Sequence, residues 1–380
     1  MTAPIVAVIG GGQLARMMTG PATELGVTLR VLVEAPGAAA AASAHETVVG
    51  LPADADAVAR LLDGADVVTW EHEHIPAAVF EAAAARGIPA LPSAAALRFA
   101  QDKIAMRKRM DELGLPNPAW REVTQPHHVA DFLVEHGASV LKTSRGGYDG
   151  KGVLMIDRAE QADEWVATAS VALLIEQRVP FTRELSAQVA RTASGAIVAY
   201  PVVESTQRNG VCVEVIAPAP ALDPQLAERA TALAITIAAE LDVVGMLAVE
   251  LFQVGDDIVV NELAMRPHNS GHWSMDGAVT GQFEQHLRAV LGLPLGDPAS
   301  TSPWTVMVNV LGGSRVDLAS ALGEVPDGGA KIHLYGKDVR EGRKVGHVTV
   351  AGPDLHSTLS RAREAADIVR GEKATGGTQW

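Results

Sequence analysis

The chain has 380 residues, a formal net charge of −14, 48% hydrophobic residues and only 4% aromatic residues. This length allows roughly two or three domains with aliphatic cores, and the negative charge argues against non-specific binding to nucleic acid or to an anionic membrane. The single cysteine, Cys212, excludes an intramolecular disulfide and fits a reducing compartment.

Strand-like and helix-like segments alternate from the N-terminus to about residue 95, which predicts a parallel, doubly wound, Rossmann-like domain. The N-terminal segment lacks a basic region, and no apolar run approaches the ~18 residues of a membrane span. We therefore expect a cytoplasmic protein. The predicted strands are Ile5–Ile9, Leu29–Val33, Thr47–Val49 and Val67–Trp70. One predicted helix begins at about Gln13, and two others cover Ala55–Leu62 and Ala77–Arg86.

Two motifs lie at the ends of these strands. Gly10–Ala15 fits the G-x-G-x-x-A pattern, which is typical of dinucleotide binding or of a tight turn that packs a helix on a strand. Trp70–His74 follows a strand at the edge where ligands bind in open α/β sheets. Its acids and histidines alternate along an extended chain, so we expect a carboxylate that contacts a polar substrate, or a solvated loop, rather than a metal site.

The prolines Pro116 and Pro118 mark the start of a second domain. There, Lys142–Gly152 joins two predicted strands and has four glycines in seven residues. Such a loop suits a lid that closes over a triphosphate, because exposed N–H groups can cradle phosphate oxygens. Farther on, Glu176 and Glu184 fit an adenine and ribose site or a surface salt bridge.

The apolar runs Met246–Val254 and Ile258–Leu263 flank a short polar break and predict a β-hairpin. Two glutamates then oppose each other, which is unfavourable in apolar strands unless they bind a cation or share a proton. Hard oxygen ligands favour Mg²⁺ that bridges phosphates. With Asp256 as the midpoint, the expected pairs are Val254 with Ile258, Phe252 with Val260 and Glu250 with Glu262.

Two polar segments follow the hairpin. Arg266–His272 is too polar for an ordinary turn, and Arg266 suits an anion or a developing negative charge. Farther along, Lys337–Lys344 contains four cations in eight residues. In an acidic protein this cluster indicates a monophosphate pocket or a basic solvated hairpin.

The order of these motifs resembles the ATP-grasp ligases, and in particular the 5-(carboxyamino)imidazole ribonucleotide synthase family of purine biosynthesis. The matching segments are GGGQLARM, KTSRGGYDGKG, NELAMRPHNSGHW and YGKDVREGRKVGHV. The resemblance implies an α/β and α+β fold of ATP-grasp architecture. It implies a Rossmann-like domain at 1–95, a two-part ATP-grasp domain at 96–295 with a glycine-rich lid at about 119–180, and a small β-rich C-terminal domain at 300–380.

The resemblance also assigns residues. Mg²⁺ would be held by Glu250 and Glu262, and catalysis would involve Arg266, Tyr148 and Asp149. The ribonucleotide and bicarbonate would be surrounded by Gln13, Glu73, Tyr148, Arg266, His268, Asn269, Ser270, Lys337, Arg343 and Lys344. ATP would be held by Lys103, Lys142, Gly147, Tyr148, Asp149, Gly150, Lys151, Gly152, Val153, Glu176, Gln177, Arg178, Val179, Glu184, Asn261 and Glu262, with Gln207 where members often have a histidine.

The implied reaction is the ATP- and bicarbonate-dependent carboxylation of aminoimidazole ribonucleotide by way of carboxyphosphate, without biotin, in a homodimer. Another ATP-grasp ligase, similar to a formate-dependent transformylase or to biotin carboxylase, would share the lid and the glutamate pair. A nicotinamide oxidoreductase would explain only Gly10–Ala15. A non-catalytic nucleotide-binding module would bind ATP without turnover.

Overall fold

The computed structural model describes residues 3–147, 152–326 and 328–372. Its N-terminal unit is a four-stranded, fully parallel sheet in the order β3-β2-β1-β4, as the alternating segments predict. The elements are β1 (Ile5–Ile9), α1 (Gln13–Glu24), β2 (Thr28–Val33), β3 (Glu46–Val49), α2 (Ala55–Leu62), β4 (Val67–Trp70) and α3 (Ala77–Ala84).

Both faces of this sheet are apolar, because successive side chains of β1 point to opposite sides. Val6 and Val8 pack in one core with α1, whereas Ala7 and Ile9 pack in another with α2 and α3. The carboxyl ends of β1 and β4 therefore meet at one edge of the sheet, where the chain continues into the glycine turn and into Glu71.

Two helices lead to a smaller antiparallel sheet in the order β5-β8-β6-β7, which carries the glycine-rich loop between β6 and β7. Tyr148, Asp149, Gly150 and Lys151 lie outside the described residues. The elements are α4 (Ala94–Gln101), α5 (Lys103–Glu112), β5 (Trp120–Val123), α6 (His127–His136), β6 (Ser139–Thr143), β7 (Val153–Ile156), α7 (Asp163–Thr168) and β8 (Leu173–Gln177).

The remaining strands form one nine-stranded sheet in the order β14-β13-β9-β11-β12-β15-β17-β16, with β10 beside β9. The strands after residue 300 thus extend the central sheet through the pairing of β15 with β12. The elements are β9 (Arg183–Arg191), β10 (Ile197–Ala199), β11 (Val203–Arg208), β12 (Val211–Ala217), α8 (Pro224–Glu240), β13 (Gly245–Val254), β14 (Asp257–Ala264), α9 (Ser274–Gly277), α10 (Gln282–Val290), β15 (Trp304–Leu311), β16 (Lys331–Leu334), β17 (Lys344–Gly352) and α11 (Leu355–Arg370).

The β13–β14 hairpin confirms one predicted pair and corrects the others. Glu250 lies opposite Glu262, as predicted. The turn is one residue tighter than expected, with Gly255 at a φ of 59°, so the pairs Val254–Ile258 and Phe252–Val260 are wrong. The observed pairs near the turn are Val254 with Asp257, Gln253 with Ile258 and Phe252 with Val259.

None of the helices in the described ranges combines the length and the apolar character that a bilayer crossing requires.

Candidate active site

The glycine turn after β1 is closed by a carboxylate of the chain itself. Glu71 accepts hydrogen bonds from the backbone N–H groups of Gly12, Leu14 and Ala15, at 2.5, 3.1 and 3.1 Å. A Cβ atom at Gly12 would lie 2.3 Å from a Glu71 oxygen, so glycine is required there. The N-terminus of α1, where a phosphate could bind, is thus filled by Glu71. This arrangement supports the tight-turn interpretation of Gly10–Ala15 and contradicts the dinucleotide one.

Distant segments predicted to contact one substrate meet beside this turn. The Lys337 ammonium donates a hydrogen bond to Gln13 Oε1 at the start of α1. Glu73, after β4, pairs with Arg266 after β14 at 2.8 Å, and both side chains are at most 20% exposed. The topology therefore joins the ends of the N-terminal sheet to the polar segments that precede α9 and β17.

Three carboxyl groups gather on the inner face of β9, β13 and β14. Burial, together with nearby Glu262 and Glu184, raises the pKa of Glu250 to about 8. Burial also raises the pKa of Glu184 to about 7. The Lys103 ammonium lies 3.2 Å from a carboxyl oxygen of Glu262. These shifts indicate that Glu250 and Glu184 lie in a buried environment that favours their neutral forms.

This carboxylate set has the donor chemistry of a Mg²⁺ site that is completed by phosphate oxygens. Glu250 and Glu262 are paired across two strands, so they present oxygens from neighbouring positions. Within the described ranges, His, Cys, Asp and Glu side chains form no cluster of three or more that would hold a metal alone. Two protein ligands plus phosphates match the usual way in which proteins bind Mg²⁺ with a nucleotide.

A buried ion network connects two of the residues that the sequence predicts for nucleotide binding. The Arg107 guanidinium binds the Glu176 carboxylate with two hydrogen bonds, at 2.9 and 3.2 Å, and Lys142 lies 2.7 Å from the same carboxylate. Burial alone would raise the pKa of Glu176, but Lys142 and Arg107 outweigh it and lower that pKa to about 2. Glu176 is therefore ionised in the folded protein.

Arg107 was not among the residues selected from the sequence. It also donates to the backbone carbonyls of Val260 and Asn261, at 2.7 and 2.8 Å. One side chain on α5 thus holds both the β8 strand of the smaller sheet and the β14 strand that carries Glu262. Its position in a basic helical segment, KIAMRKRM, gives no sign that it is fully buried.

The segment after β14 is held by hydrogen bonds from Gln282 and from side chains of β9. Gln282 Oε1 accepts from the backbone N–H of His268, and Gln282 Nε2 donates to the His268 carbonyl, both at 2.9 Å. Ser270 Oγ bonds Ser186 and Gln188 of β9, each at 2.8 Å. Burial, with Arg266 and Lys344 nearby, lowers the pKa of His268 well below its usual value.

His268 connects the carboxyl groups of β9, β13 and β14 to the polar segment that follows β14. Its Nε2 atom lies 3.2 Å from a carboxyl oxygen of Glu250. Its Nδ1 atom accepts the backbone N–H of Ser270 at 3.4 Å, so Nε2 carries the proton of the neutral ring. The carboxylate centre and the polar segment that follows it are therefore in direct contact.

The other predicted residues in the described ranges lie in strands and turns. Gln207 lies on β11, and its amide reaches Ser205, which pairs with Glu184 of β9. Arg343 donates to the Asp338 carbonyl at 3.2 Å. Gly147 and Gly152 border the loop with φ angles of 78° and 71°. Val153 pairs with Lys142. The backbone N–H groups of Gln177 and Arg178 donate to the carbonyls of Ala119 and Ala138, at 2.9 and 3.1 Å. Val179 precedes the turn to β9, and Asn261 and Lys344 lie on β14 and β17.

Three family models match the chain in succession. The ribonucleotide synthetase preATP-grasp domain matches residues 3–101, and the ATP-grasp domain matches residues 108–283. The phosphoribosylaminoimidazole carboxylase C-terminal domain matches residues 305–361.

Proteins similar over nearly the whole chain share one name. The N5-carboxyaminoimidazole ribonucleotide synthase of Corynebacterium ammoniagenes is 48% identical, over 96% of this chain and 92% of that protein. The enzyme of that name from Mycobacterium tuberculosis is also 48% identical, over 96% of this chain and 87% of its own length.

Solved structures of enzymes with this name have the same fold as this chain. The N5-carboxyaminoimidazole ribonucleotide synthetase of Thermus thermophilus superimposes with a TM-score of 0.86 at 37% identity, covering 99% of each chain. The N5-carboxyaminoimidazole synthase of Aspergillus clavatus, in complex with ADP and 5-aminoimidazole ribonucleotide, gives 0.87 at 30% identity, over 97% of this chain and 99% of that chain.

Proposed function

The chain belongs to the N5-carboxyaminoimidazole ribonucleotide synthases, and from this membership we infer that it carboxylates the amino group of 5-aminoimidazole ribonucleotide with ATP and bicarbonate. It is an ATP-dependent ligase of the ATP-grasp type, which acts in purine biosynthesis. The observation that carries the proposal is the 3.2 Å contact of His268 with Glu250, because it joins a nucleotide half-site to a half-site built for a second anionic substrate.

ATP occupies the cleft between the smaller sheet and the inner face of β9, β13 and β14. Lys103 and Lys142 supply positive charge for its phosphates, and the loop around Gly147–Val153 closes over them. Glu176–Val179 and Glu184 provide hydrogen-bonding groups for the adenine and the ribose. The Arg107–Glu176 pair supports this assignment, since it fixes the end of β8 against β14.

Mg²⁺ would be held by Glu250 and Glu262, and it would supply charge neutralisation for the triphosphate. The raised pKa of Glu250 supports this, because a bound cation would favour the ionised carboxyl. Asn261, the neighbour of Glu262, offers a further polar contact for the nucleotide.

The ribonucleotide lies on the opposite side of His268. Lys337, Arg343 and Lys344 bind its phosphate, since these three cations lie within eight residues of an otherwise acidic sequence. Gln13 and the Glu73–Arg266 pair border the same space, and Arg266 offers a guanidinium to anionic oxygens. His268, Asn269 and Ser270 line the boundary between the two half-sites.

In the first chemical step, a bicarbonate oxygen attacks the γ-phosphorus of ATP, which forms carboxyphosphate and releases ADP. In the second step, the exocyclic amine of the ribonucleotide attacks the carboxyl carbon of carboxyphosphate and expels phosphate, or it attacks the CO₂ that forms when carboxyphosphate breaks down to CO₂ and phosphate. On either route the amine nitrogen gives up a proton. Arg266 stabilises the charge on the carboxyphosphate oxygens. The glycine-rich loop, with Tyr148 and Asp149, excludes water from this intermediate.

We further propose that the protein acts in the cytoplasm as a homodimer, as the family resemblance implies. The single, buried thiol of Cys212 suits a reducing compartment. Light scattering of the purified protein, with and without ADP, measures the oligomeric state, and a monomer at micromolar concentration would contradict the dimer.

The reaction is tested by phosphate release with ATP, Mg²⁺, bicarbonate and aminoimidazole ribonucleotide, each omitted in turn. We expect release to require all of them, and isotopically labelled bicarbonate to enter the ribonucleotide product. Release that ignores bicarbonate but requires formate would indicate a transformylase-like ligase. ATP binding without any release would indicate a non-catalytic nucleotide-binding module.

A further inference from the structure

A row of polar residues crosses the C-terminal part of the large sheet. His333 of β16 pairs with His347 of β17, which in turn pairs with Asn309 of β15. Neighbouring residues at paired positions share one face of a sheet, so these three side chains face the same way. Asn309 and His347 are fully buried, although both lie in apolar strands. A buried polar side chain in such a strand requires partners.

Each member of this row contacts the segment that follows Arg266. His333 Nε2 lies 2.8 Å from the Asp276 carboxylate, and the ring centroids of His347 and His272 are 5.0 Å apart. Asn309 meets the side chain of Asn269, which is a proposed substrate ligand. The row therefore docks the substrate-binding segment on the sheet.

The hydrogen bonds of Asn309 have a defined direction. Asn309 Nδ2 donates to the backbone carbonyl of Cys212 at 2.9 Å, and a carbonyl can only accept. This bond fixes which end of the Asn309 amide carries nitrogen. The same Nδ2 then donates to Asn269 Oδ1 at 2.7 Å, and Asn269 Nδ2 donates back to Asn309 Oδ1 at 3.1 Å.

The orientation of Asn269 follows from that direction. Its Oδ1 atom accepts from Asn309, and one N–H of its amide donates to Asn309. Its second N–H makes no hydrogen bond with the described part of the chain. Because Asn269 is only partly buried, that N–H is available to a ligand in the cleft.

We propose that Asn309 is a positioning residue for the ribonucleotide, which fixes the Asn269 amide so that it presents an N–H donor to an acceptor atom of that substrate. This inference rests on the proposed function, because Asn269 is taken as a ribonucleotide ligand. Without Asn309, the Asn269 amide is free to rotate, so its N–H group points at the substrate in only part of the molecules.

The test compares Asn309→Leu, Asn269→Ala and the double variant by steady-state kinetics on the full-length protein. We expect Asn309→Leu to raise the KM for aminoimidazole ribonucleotide about tenfold, with the KM for ATP changed by less than about twofold. In the double variant, we expect the effect of Asn309→Leu to disappear, because Asn309 acts through Asn269. Effects that multiply in the double variant would overturn the proposal.

The matched control is Thr305→Val, which removes a fully buried polar group from the same strand. We expect both KM values of this variant to remain at the wild-type level. A second variant, Asn269→Asp, leaves the buried Asn309 intact and replaces the N–H donor by an acceptor. It should raise the ribonucleotide KM as much as Asn269→Ala does. A wild-type KM in Asn269→Asp would overturn the proposal even if Asn309→Leu does not fold.

The experiments distinguish a wrong assignment of the reaction from a wrong role of Asn309. If wild-type protein does not release phosphate with bicarbonate and aminoimidazole ribonucleotide, the proposed reaction is wrong. If the wild-type protein turns over and Asn309→Leu keeps the wild-type ribonucleotide KM, the reaction stands and the role of Asn309 is wrong.

Discussion

Glu250 and Glu262 lie directly opposite each other because two irregularities of the β13–β14 hairpin cancel. The tight turn at Gly255 shifts the pairing by one residue from a symmetric hairpin about Asp256. The bulge at Asn261 then adds one residue to β14 between Val260 and Glu262, which restores the opposition. The bulge lies next to the proposed metal ligands, so it sets which face of the sheet the Glu262 carboxylate occupies.

The first prediction concerns this pair. Glu262→Gln should lower Mg²⁺-dependent phosphate release by about a hundredfold, because the substitution removes a proposed charged ligand of the cation while it keeps the shape of the side chain. The measurement is initial rate against Mg²⁺ concentration, with circular dichroism to verify folding. Asp257→Asn is the matched control, since Asp257 is an exposed acid of the same strand. Wild-type turnover in Glu262→Gln would show that this carboxylate does not hold the metal.

The second prediction concerns the basic segment. Lys337→Ala should raise the KM for aminoimidazole ribonucleotide about tenfold or more and leave the KM for ATP near its wild-type value, because the ammonium lies beside Gln13, in the half-site proposed for the ribonucleotide. Arg340→Ala serves as the control, since its side chain is 72% exposed in the same segment. The reverse pattern, with ATP affected, would assign the segment to the nucleotide.

The third prediction concerns Arg107. Arg107→Met should destabilise the protein by about 3–5 kcal/mol, because it leaves the buried Glu176 with Lys142 alone and two carbonyls without a donor. Arg107→Lys should recover only part of this loss, since an ammonium lacks the planar set of donors. Urea unfolding measures the effect, and the KM for ATP should rise in both variants.

The control for Arg107 lies on the same helix. Arg109 pairs with Glu112 and Glu240, whose carboxyl groups are largely exposed, so Arg109→Met should change stability by less than about 1 kcal/mol. Equal losses in Arg107→Met and Arg109→Met would mean that the buried network has no special role.

The fourth prediction concerns pH. Burial lowers the pKa of His286 to about 3. Its Nδ1 atom accepts the backbone N–H of Met246 at 3.1 Å, so the neutral ring carries its proton on Nε2, which lies 2.9 Å from Thr69 Oγ1. The folded protein therefore holds this ring neutral, whereas the unfolded chain protonates it below a pH of about 6.5. The contribution of His286 to the free energy of unfolding is therefore complete above a pH of about 6.5, and it is lost as the pH falls towards 3.

The corresponding experiment compares wild-type protein with His286→Gln. Between pH 7 and pH 5, the wild type should lose roughly 2 kcal/mol more unfolding free energy than the variant, because the variant has no imidazole to protonate at this position. Denaturant unfolding at the two pH values measures the difference. Parallel losses in the two proteins would show that His286 is not held neutral.

Local sequence patterns predicted much of this protein. The alternating segments predicted a parallel N-terminal sheet, because parallel strands need long crossover connections, which are usually helices. The two apolar runs gave a hairpin with opposed glutamates. The residue types of the polar segments indicated phosphate, Mg²⁺ and anion chemistry, and the order of the motifs led to the family. These features are encoded within short stretches, where period and residue type suffice.

Long-range contacts were decided only by the tertiary structure. Arg107 is 69 positions from Glu176, and the network between them is visible only when α5 packs beside β8. Glu71 and Glu73 belong to one short motif, yet one caps α1 and the other pairs with Arg266. Asn309 lies in an apolar run that reads as core. The physical reason is that a hydrogen bond requires two partners in a defined geometry, and packing of distant segments sets that geometry.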